Sequence, residues 1–268
     1  MRQDRLTLIN RRVYEHPRIV NYYRSLNEKP DDSEEFILDL IKCKINDAKI
    51  LDIGVGGGRT TPILINFSKN YIGIDYSKPM IEASRKRFPQ IDFTLCDVRN
   101  LDFEDNIFKF ILFSYNGIDD LSHLDRLKAL KEIFRVLEPG GFFLFSTHNL
   151  DFPLPSIYKF SSPNDEFRRS YVLMWPFLYL LRIWNHLRLR NKCFIKDDYA
   201  IINDSAHNYS MLTYYITTNR QFRQLAECGF INIKCFDLNR LQIEVNGKSI
   251  TEWNYFLSTK PISTKKLK

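Results

Sequence analysis

No two cysteines stand in a C-x-x-C pair, and the five present (Cys43, Cys96, Cys193, Cys228 and Cys235) are odd in number. A disulfide framework needs paired cysteines, so the sequence predicts free thiols in a reducing compartment. Residues 1–12 are polar and charged without an apolar core. That absence predicts neither a secretory signal nor a membrane anchor there and points to the cytoplasm. No internal repeat or low-complexity tract interrupts the 268 residues. With 44% hydrophobic and 14% aromatic residues the chain can bury a large core, which excludes disorder over any long internal stretch. The length fits one large domain with an embellishment.

Charge is the first positive feature. The formal net charge of +7 admits nucleic acid or an anionic membrane surface as partners, but the excess is local. Part of it sits in Lys265, Lys266 and Lys268, a solvated tail, and part in residues 168–196.

Between residues 48 and 150 short apolar runs alternate with amphipathic stretches, the pattern of strand, crossover helix and parallel strand. Strands are predicted over residues 49–53, 71–75, 91–95, 108–114 and 142–147. Thr61 before Pro62 and Ser77 read as helix starts. Ser122 with Asp125 forms a capping-box pattern, followed by an apolar face of Leu124, Leu127, Leu130, Phe134 and Leu137 that stops at Pro139-Gly140-Gly141. From residue 151 to 210 the alternation breaks into an aromatic and arginine-rich insertion. It resumes with a helix capped by Asn219 and ending at Gly229, then strands over residues 231–237 and 253–259. The predicted organisation is a helical cap over residues 1–46, a core over 47–150, an inserted lid over 151–210, the rest of the core over 211–260 and a basic tail over 261–268.

The stretch Ile50-Leu51-Asp52-Ile53-Gly54-Val55-Gly56-Gly57-Gly58-Arg59-Thr60 carries the chemistry, because a buried strand there runs straight into a glycine-rich turn. Glycines allow the backbone to approach a nucleoside closely. A dinucleotide fingerprint G-x-G-x-x-G would place its third glycine at position 59, where Arg59 stands; Gly54, Gly56 and Gly58 instead form G-x-G-x-G. With Asp52 inside the strand, this segment resembles the first motif of the class I S-adenosylmethionine-dependent methyltransferases. The resemblance is strong over about residues 48–150, including Arg135-Val136-Leu137-Glu138-Pro139-Gly140-Gly141, and weak over 211–260.

The resemblance implies an α/β, Rossmann-like fold, a mostly parallel sheet of about seven strands with helices on both faces and an inserted lid, with S-adenosylmethionine as cofactor. It implies that Asp52 orients the turn toward the methionine end, with Gly54, Gly56 and Gly58 beneath the cofactor. Asp75, which closes the second strand beside Tyr76, becomes the ribose ligand. Met80 is a candidate for the adenine face, equally readable as core. Asp97 becomes the acceptor for the adenine amine with Val98 alongside, and Ser114 and Tyr115 border the reactive methyl group.

Methyl transfer from a sulfonium requires orientation and exclusion of water; a base is needed only where the acceptor must lose a proton. His148, at the end of the fifth strand, is the first candidate base, with Asp119 and Tyr115 as alternatives; a polar strand-end histidine bonded to Asn149 reads equally well. No metal site is predicted. The fourth strand ends in Ser114-Tyr115-Asn116-Gly117 rather than the Asn/Asp-Pro-Pro-aromatic motif of base-amine methyltransferases, and that loop lacks a nucleophilic cysteine, which lowers nucleic acid as substrate. A small-molecule or glycan acceptor is expected. The insertion interleaves aromatics with Arg168, Arg169, Arg182, Arg188 and Arg190, as suits a substrate lid, a peripheral membrane or lipid-linked contact, or an oligomer interface. Its apolar run is too short to cross a bilayer, with Pro176 and Arg182 interrupting it. Tyr14, Tyr22, Tyr23 and Arg24 are candidates to complete a cover. A catalytically silent cofactor-binding module and an RNA methyltransferase are the alternative readings; a nicotinamide oxidoreductase is disfavoured by Arg59.

Overall fold

The computed structural model describes residues 4–26, 30–154 and 168–262. Three helices lead the chain: α1 (Asp4–Tyr14), α2 (Pro17–Ser25) and α3 (Asp32–Ile45). Then β1 (Ile50–Ile53), α4 (Thr61–Phe67), β2 (Tyr71–Asp75), α5 (Lys78–Arg87), β3 (Asp92–Leu95), β4 (Phe108–Phe113), α6 (His123–Val136) and β5 (Leu137–Asn149) form the alternating unit. Beyond it lie α7 (Arg168–Leu189), β6 (Phe194–Ile195), β7 (Tyr199–Ile202), β8 (Thr213–Ile216), α8 (Thr218–Glu227), β9 (Ile231–Phe236), β10 (Gln242–Ile243) and β11 (Trp253–Thr259).

The main sheet runs β10-β9-β11-β5-β4-β1-β2-β3. Its five strands from β5 to β3 are parallel, and β11 enters antiparallel between β5 and β9. Every residue of β1 is buried, as expected for a central parallel strand covered on both faces. Two apolar clusters cover those faces: one packs Leu130, Ile133 and Phe222 onto Leu51, Ile111 and Phe143, the other packs Ile37, Ile41 and Leu64 onto Ile50, Phe110 and Leu144.

The expected seven strands become eight on this path, with three more attached through β8. The end of β5 pairs parallel with β8 (His148 opposite Tyr215), β8 pairs antiparallel with β7, and β7 with β6. Part of the predicted lid is therefore sheet: Phe194-Ile195 and Tyr199-Ala200-Ile201-Ile202 lie within it and pair on through Thr213-Tyr214-Tyr215-Ile216, just beyond it, all short β-branched and aromatic runs. Residues 155–167 of the lid and 263–268 of the basic tail lie outside the described residues.

Three local expectations change. Helix α6 ends at Val136, before Pro139: the buried Lys260 ammonium donates to the carbonyls of Phe134 (2.6 Å), Arg135 (3.2 Å) and Leu137 (2.7 Å), closing the helix end, and β5 already begins at Leu137 opposite Phe108. Its inner face is Ala129, Leu130, Ile133 and Val136, while Leu124 is exposed, because Arg126 turns inward one turn from the start. Helix α8 is capped by Thr217, which accepts from Arg220 N–H, rather than by Asn219. At α6 the predicted cap is present, with Ser122 accepting from Asp125 N–H. Backbone helix runs unbroken through position 176 in α7. Among the described residues no helix is long and apolar enough to cross a membrane.

Candidate functional site

The strand order reverses between β1 and β4, and in open α/β sheets the crevice outside the carboxyl ends of the strands at that point receives the ligand. A cleft of about 810 Å³, part of it open to solvent, lies there. Its walls come from the glycine turn after β1, the end of β2, the loops after β3 and β4, and the first two helices.

Asp75 organises the floor. Its carboxylate accepts the Gly56 backbone N–H at 3.0 Å and the Ser77 N–H at 2.8 Å, which ties the glycine turn to the end of β2. Burial raises the Asp75 pKa to about 6 against the lowering effect of these bonds. Gly56 has φ +54, and a side chain there would find no protein atom nearer than 3.9 Å, so the turn presents bare backbone to the cleft. Gly57 is required for a different reason: a Cβ would lie 2.4 Å from the Tyr23 carbonyl oxygen and 2.6 Å from the Arg24 nitrogen. The absent side chain lets α2 seat directly on the turn, which places Tyr23 and Tyr14 in the cleft wall.

Of the cofactor residues expected from sequence, Gly54, Gly56, Asp75, Tyr76, Met80, Val98, Ser114 and Tyr115 line this one cleft. Met80 is also 1% exposed, so it serves the core at the same time. Asp52, Gly58 and Asp97 stand outside the lining. Asp52 is buried and accepts from Thr60 Oγ1 (2.6 Å) and Tyr71 OH (2.8 Å), bracing the glycine turn from beneath. Its burial raises its pKa to about 7. Gly58 packs beside the Phe88 ring on the far side of the turn. Asp97 is gripped by the Arg99 guanidinium, with contacts of 2.6 and 3.0 Å, and although burial opposes it this pairing lowers its pKa. Its neighbours Cys96 and Val98 supply the wall instead.

The loop after β4 is backbone-strained: Tyr115 (φ +54) and Asn116 (φ +59) are consecutive left-handed residues, a conformation that costs about 1 kcal/mol or more each and concentrates at functional sites. It turns Tyr115 outward, 48% exposed, with the Arg59 guanidinium 5.2 Å from its ring centroid. Arg59 is held in turn by the fully buried Glu34 of α3 at 2.9 Å, and Ser114 hydrogen-bonds both. Burial raises the Glu34 pKa even with the guanidinium alongside. Sequence reading noted Arg59 only as a departure from the dinucleotide pattern and missed Glu34, because 25 residues separate the pair and neither lies in a shared motif.

His148 and Asp119 meet beside the cleft rather than in it. Asp119 accepts the His148 backbone N–H at 2.7 Å and faces ring Nδ1 at 2.8 Å, and its other oxygen accepts from Arg126 (2.6 Å) and Thr147 (2.6 Å). Arg126 is wholly buried and also donates to Gln221 (2.7 Å) and Gln224 (3.1 Å). His148 bonds Asp119, therefore, and packs on Tyr215 at 4.8 Å. Burial acts to lower the imidazole pKa, but the hydrogen bond and charge of Asp119 outweigh it and the group titrates above its ordinary value. Asp120, next in the chain, does line the cleft, and its carboxyl is kept well above the usual carboxylate range by burial first and by Asp119, Asp204 and Asp75 after it. No three-residue cluster of His, Cys, Asp and Glu suited to a metal ion occurs among the described residues.

Comparison with known proteins agrees with this geometry. Residues 50–141 match a family model described as a methyltransferase domain. Over those residues the chain is similar to a methyltransferase domain. The chain is 31% identical over 105 residues to a demethylmenaquinone methyltransferase of Paenarthrobacter aurescens, covering 39% of this chain and 40% of that protein. It is 34% identical over 99 residues to a ubiquinone/menaquinone biosynthesis C-methyltransferase of Desulfotalea psychrophila, covering 35% and 38%. The alignments thus span about two fifths of those relatives' lengths. The fold likeness is wider: a crystal structure of an S-adenosylmethionine-dependent methyltransferase from Mesorhizobium loti superimposes with a TM-score of 0.57 at 14% identity, covering 85% of this chain and 98% of that one.

Proposed function

We propose that this protein transfers the methyl group of S-adenosylmethionine to a small-molecule acceptor. The observation that carries the reading is the Gly56–Asp75 hydrogen bond at 3.0 Å, which brings the bare backbone of the glycine turn and a buried carboxylate to one cleft floor. A nucleoside fits such a floor: a carboxylate accepts ribose hydroxyls, and Met80 and Val98 offer apolar contact to a base. The Arg59 guanidinium and the Tyr115 ring line the same cleft. S-adenosylmethionine supplies a methyl carbon on a sulfonium, whose S–C electron pair leaves with the neutral sulfide as the acceptor bonds carbon.

The chain's own residues then orient and exclude water. Tyr14 and Tyr23 cover the cleft from α1 and α2, and Tyr115 borders the side from which an acceptor approaches. Where the acceptor must lose a proton, His148 takes it, with Asp119 fixing the ring through Nδ1 and stabilising the imidazolium that forms. The quinone-pathway names of the relatives favour a small organic ring as acceptor over a nucleic acid or glycan. A cytoplasmic location is supported by five free cysteines. Incubating the purified chain with methyl-labelled S-adenosylmethionine and a panel of quinols, phenols and amines tests the reading: label should pass to a small organic acceptor, and transfer only to RNA would overturn it.

A further inference from the structure

We propose that the groove between α1, α2 and α7 is the acceptor site and that it takes an anionic amphiphile, an apolar chain or ring bearing a phosphate or carboxylate. This rests on the methyl-transfer reading above. The groove meets the cofactor cleft at two shared residues, Tyr23 and Tyr115. A molecule lying in it reaches the cleft only past those two rings.

Its lining combines aliphatic side chains, cations and neutral polar groups such as Asn185, Ser205, His207 and Asn208. Ile9, Val13 and Ile19 from the leading helices face Leu181 and Leu189 of α7, an aliphatic interior that gains from burying hydrocarbon. Around it stand Arg12, Arg18, Arg188 and Lys192, with no aspartate or glutamate in the lining. None of the four has a carboxylate partner among the described residues. Four exposed cations around one partly apolar groove favour an anion there, and guanidinium groups pair with phosphate or carboxylate in bidentate geometry. A nucleic acid would use the cations but gain nothing from the aliphatic wall. A neutral small molecule would use the wall and leave the cations unpaired.

Such a ligand has two sources, free solution or a lipid layer. Phe177, Leu180, Trp184 and Leu187 are exposed at 74%, 63%, 66% and 48%, and their spacing puts them on one face of α7, the helix that forms the groove's second wall. That face allows the groove to draw its ligand from a bilayer surface.

Calorimetric titration of the full chain with decyl phosphate, decanol and decyltrimethylammonium tests the assignment, with S-adenosylhomocysteine titrated in parallel. Decyl phosphate should bind roughly tenfold or more tighter than decanol, and the cationic analogue should not bind. The double variant Arg12→Ser with Arg188→Ser should lose roughly tenfold for decyl phosphate, and Leu181→Asp should weaken decanol, while both keep the wild-type affinity for S-adenosylhomocysteine. Equal binding of the three probes, or an unchanged decyl phosphate affinity in the double variant, would overturn the proposal. Loss of S-adenosylhomocysteine binding in the wild type would instead strike the underlying reading, so the two failures are distinguishable. Co-sedimentation with phosphatidylglycerol against phosphatidylcholine vesicles fixes the source. Pelleting with the anionic vesicles alone, abolished by Phe177→Asp with Trp184→Asp, supports a bilayer-held amphiphile, and no pelleting while decyl phosphate binds supports a soluble one.

Discussion

Gly56 donates its backbone N–H to Asp75 across a gap of 19 residues in sequence, at 3.0 Å, and thereby fixes the turn after the first strand to the end of the second. The Gly56 backbone is left-handed and opens onto the cleft. Gly56→Ala should therefore cost folding only about 1 kcal/mol, the penalty of a left-handed alanine. Its methyl group intrudes where the nucleoside lies, so affinity for S-adenosylhomocysteine should fall roughly tenfold or more. Thermal unfolding and calorimetry of one sample read both numbers, and an unaltered affinity would contradict the placement.

Gly57→Ala should show the reverse balance. A Cβ at 2.4 Å from the Tyr23 carbonyl oxygen meets backbone, which cannot rotate away, so α2 must lift. An overpacking cost of about 1–3 kcal/mol is expected, with faster proteolysis within residues 17–26. A variant with wild-type stability and wild-type cleavage would mean that α2 does not sit on the turn.

How much of this was legible in the sequence depended on how local the causes are. The strands over residues 71–75 and 253–259 stand where the alternation put them, because pattern and burial agree there. The end of α6 was misread because Lys260, more than 120 residues downstream, closes it. The β7–β8 pair was missed because four-residue strands, one inside the aromatic insertion and one just past its end, carry too little periodicity to outweigh the broken pattern. Within the site, Gly54, Gly56 and Asp75 share a motif and are brought together; Asp97 shares the motif too, but Arg99 two residues on occupies its carboxylate. Glu34 and the groove cations carry no motif, since their roles arise from packing of separate helices.

Asp52 gives a pH prediction with a definite sign. Its folded pKa of about 7 lies above its unfolded value near 3.8, so between those values the native state keeps a proton that the unfolded chain has released. Stability from this group is full below pH 4 and is lost as pH rises through 7. Asp52→Asn has no proton to lose and can still accept from Thr60 and Tyr71. From pH 5 to pH 8 the variant should gain about 3 kcal/mol relative to wild type in urea unfolding. Parallel stability curves for the two proteins would contradict the burial argument.

Asp119 and His148 separate structure from chemistry. Asp119→Asn strips the compensating charge from the wholly buried Arg126 and should cost about 3 kcal/mol or more of stability. His148→Gln leaves that ion pair intact and should change stability far less. With an acceptor that must lose a proton, wild-type kcat should rise with pH through an imidazole titration above 6.5, and His148→Gln should lose that limb. A retained limb in the glutamine variant would remove His148 as the base.

The central claim is that a nucleoside cofactor is held where the glycine turn meets Asp75. Calorimetric titration of the intact chain with S-adenosylhomocysteine, beside the Asp75→Ala variant, measures it directly. One-to-one binding by the wild type that weakens roughly tenfold or more in a still-folded variant is the predicted result. No binding by the wild type, or equal binding by both, would contradict it.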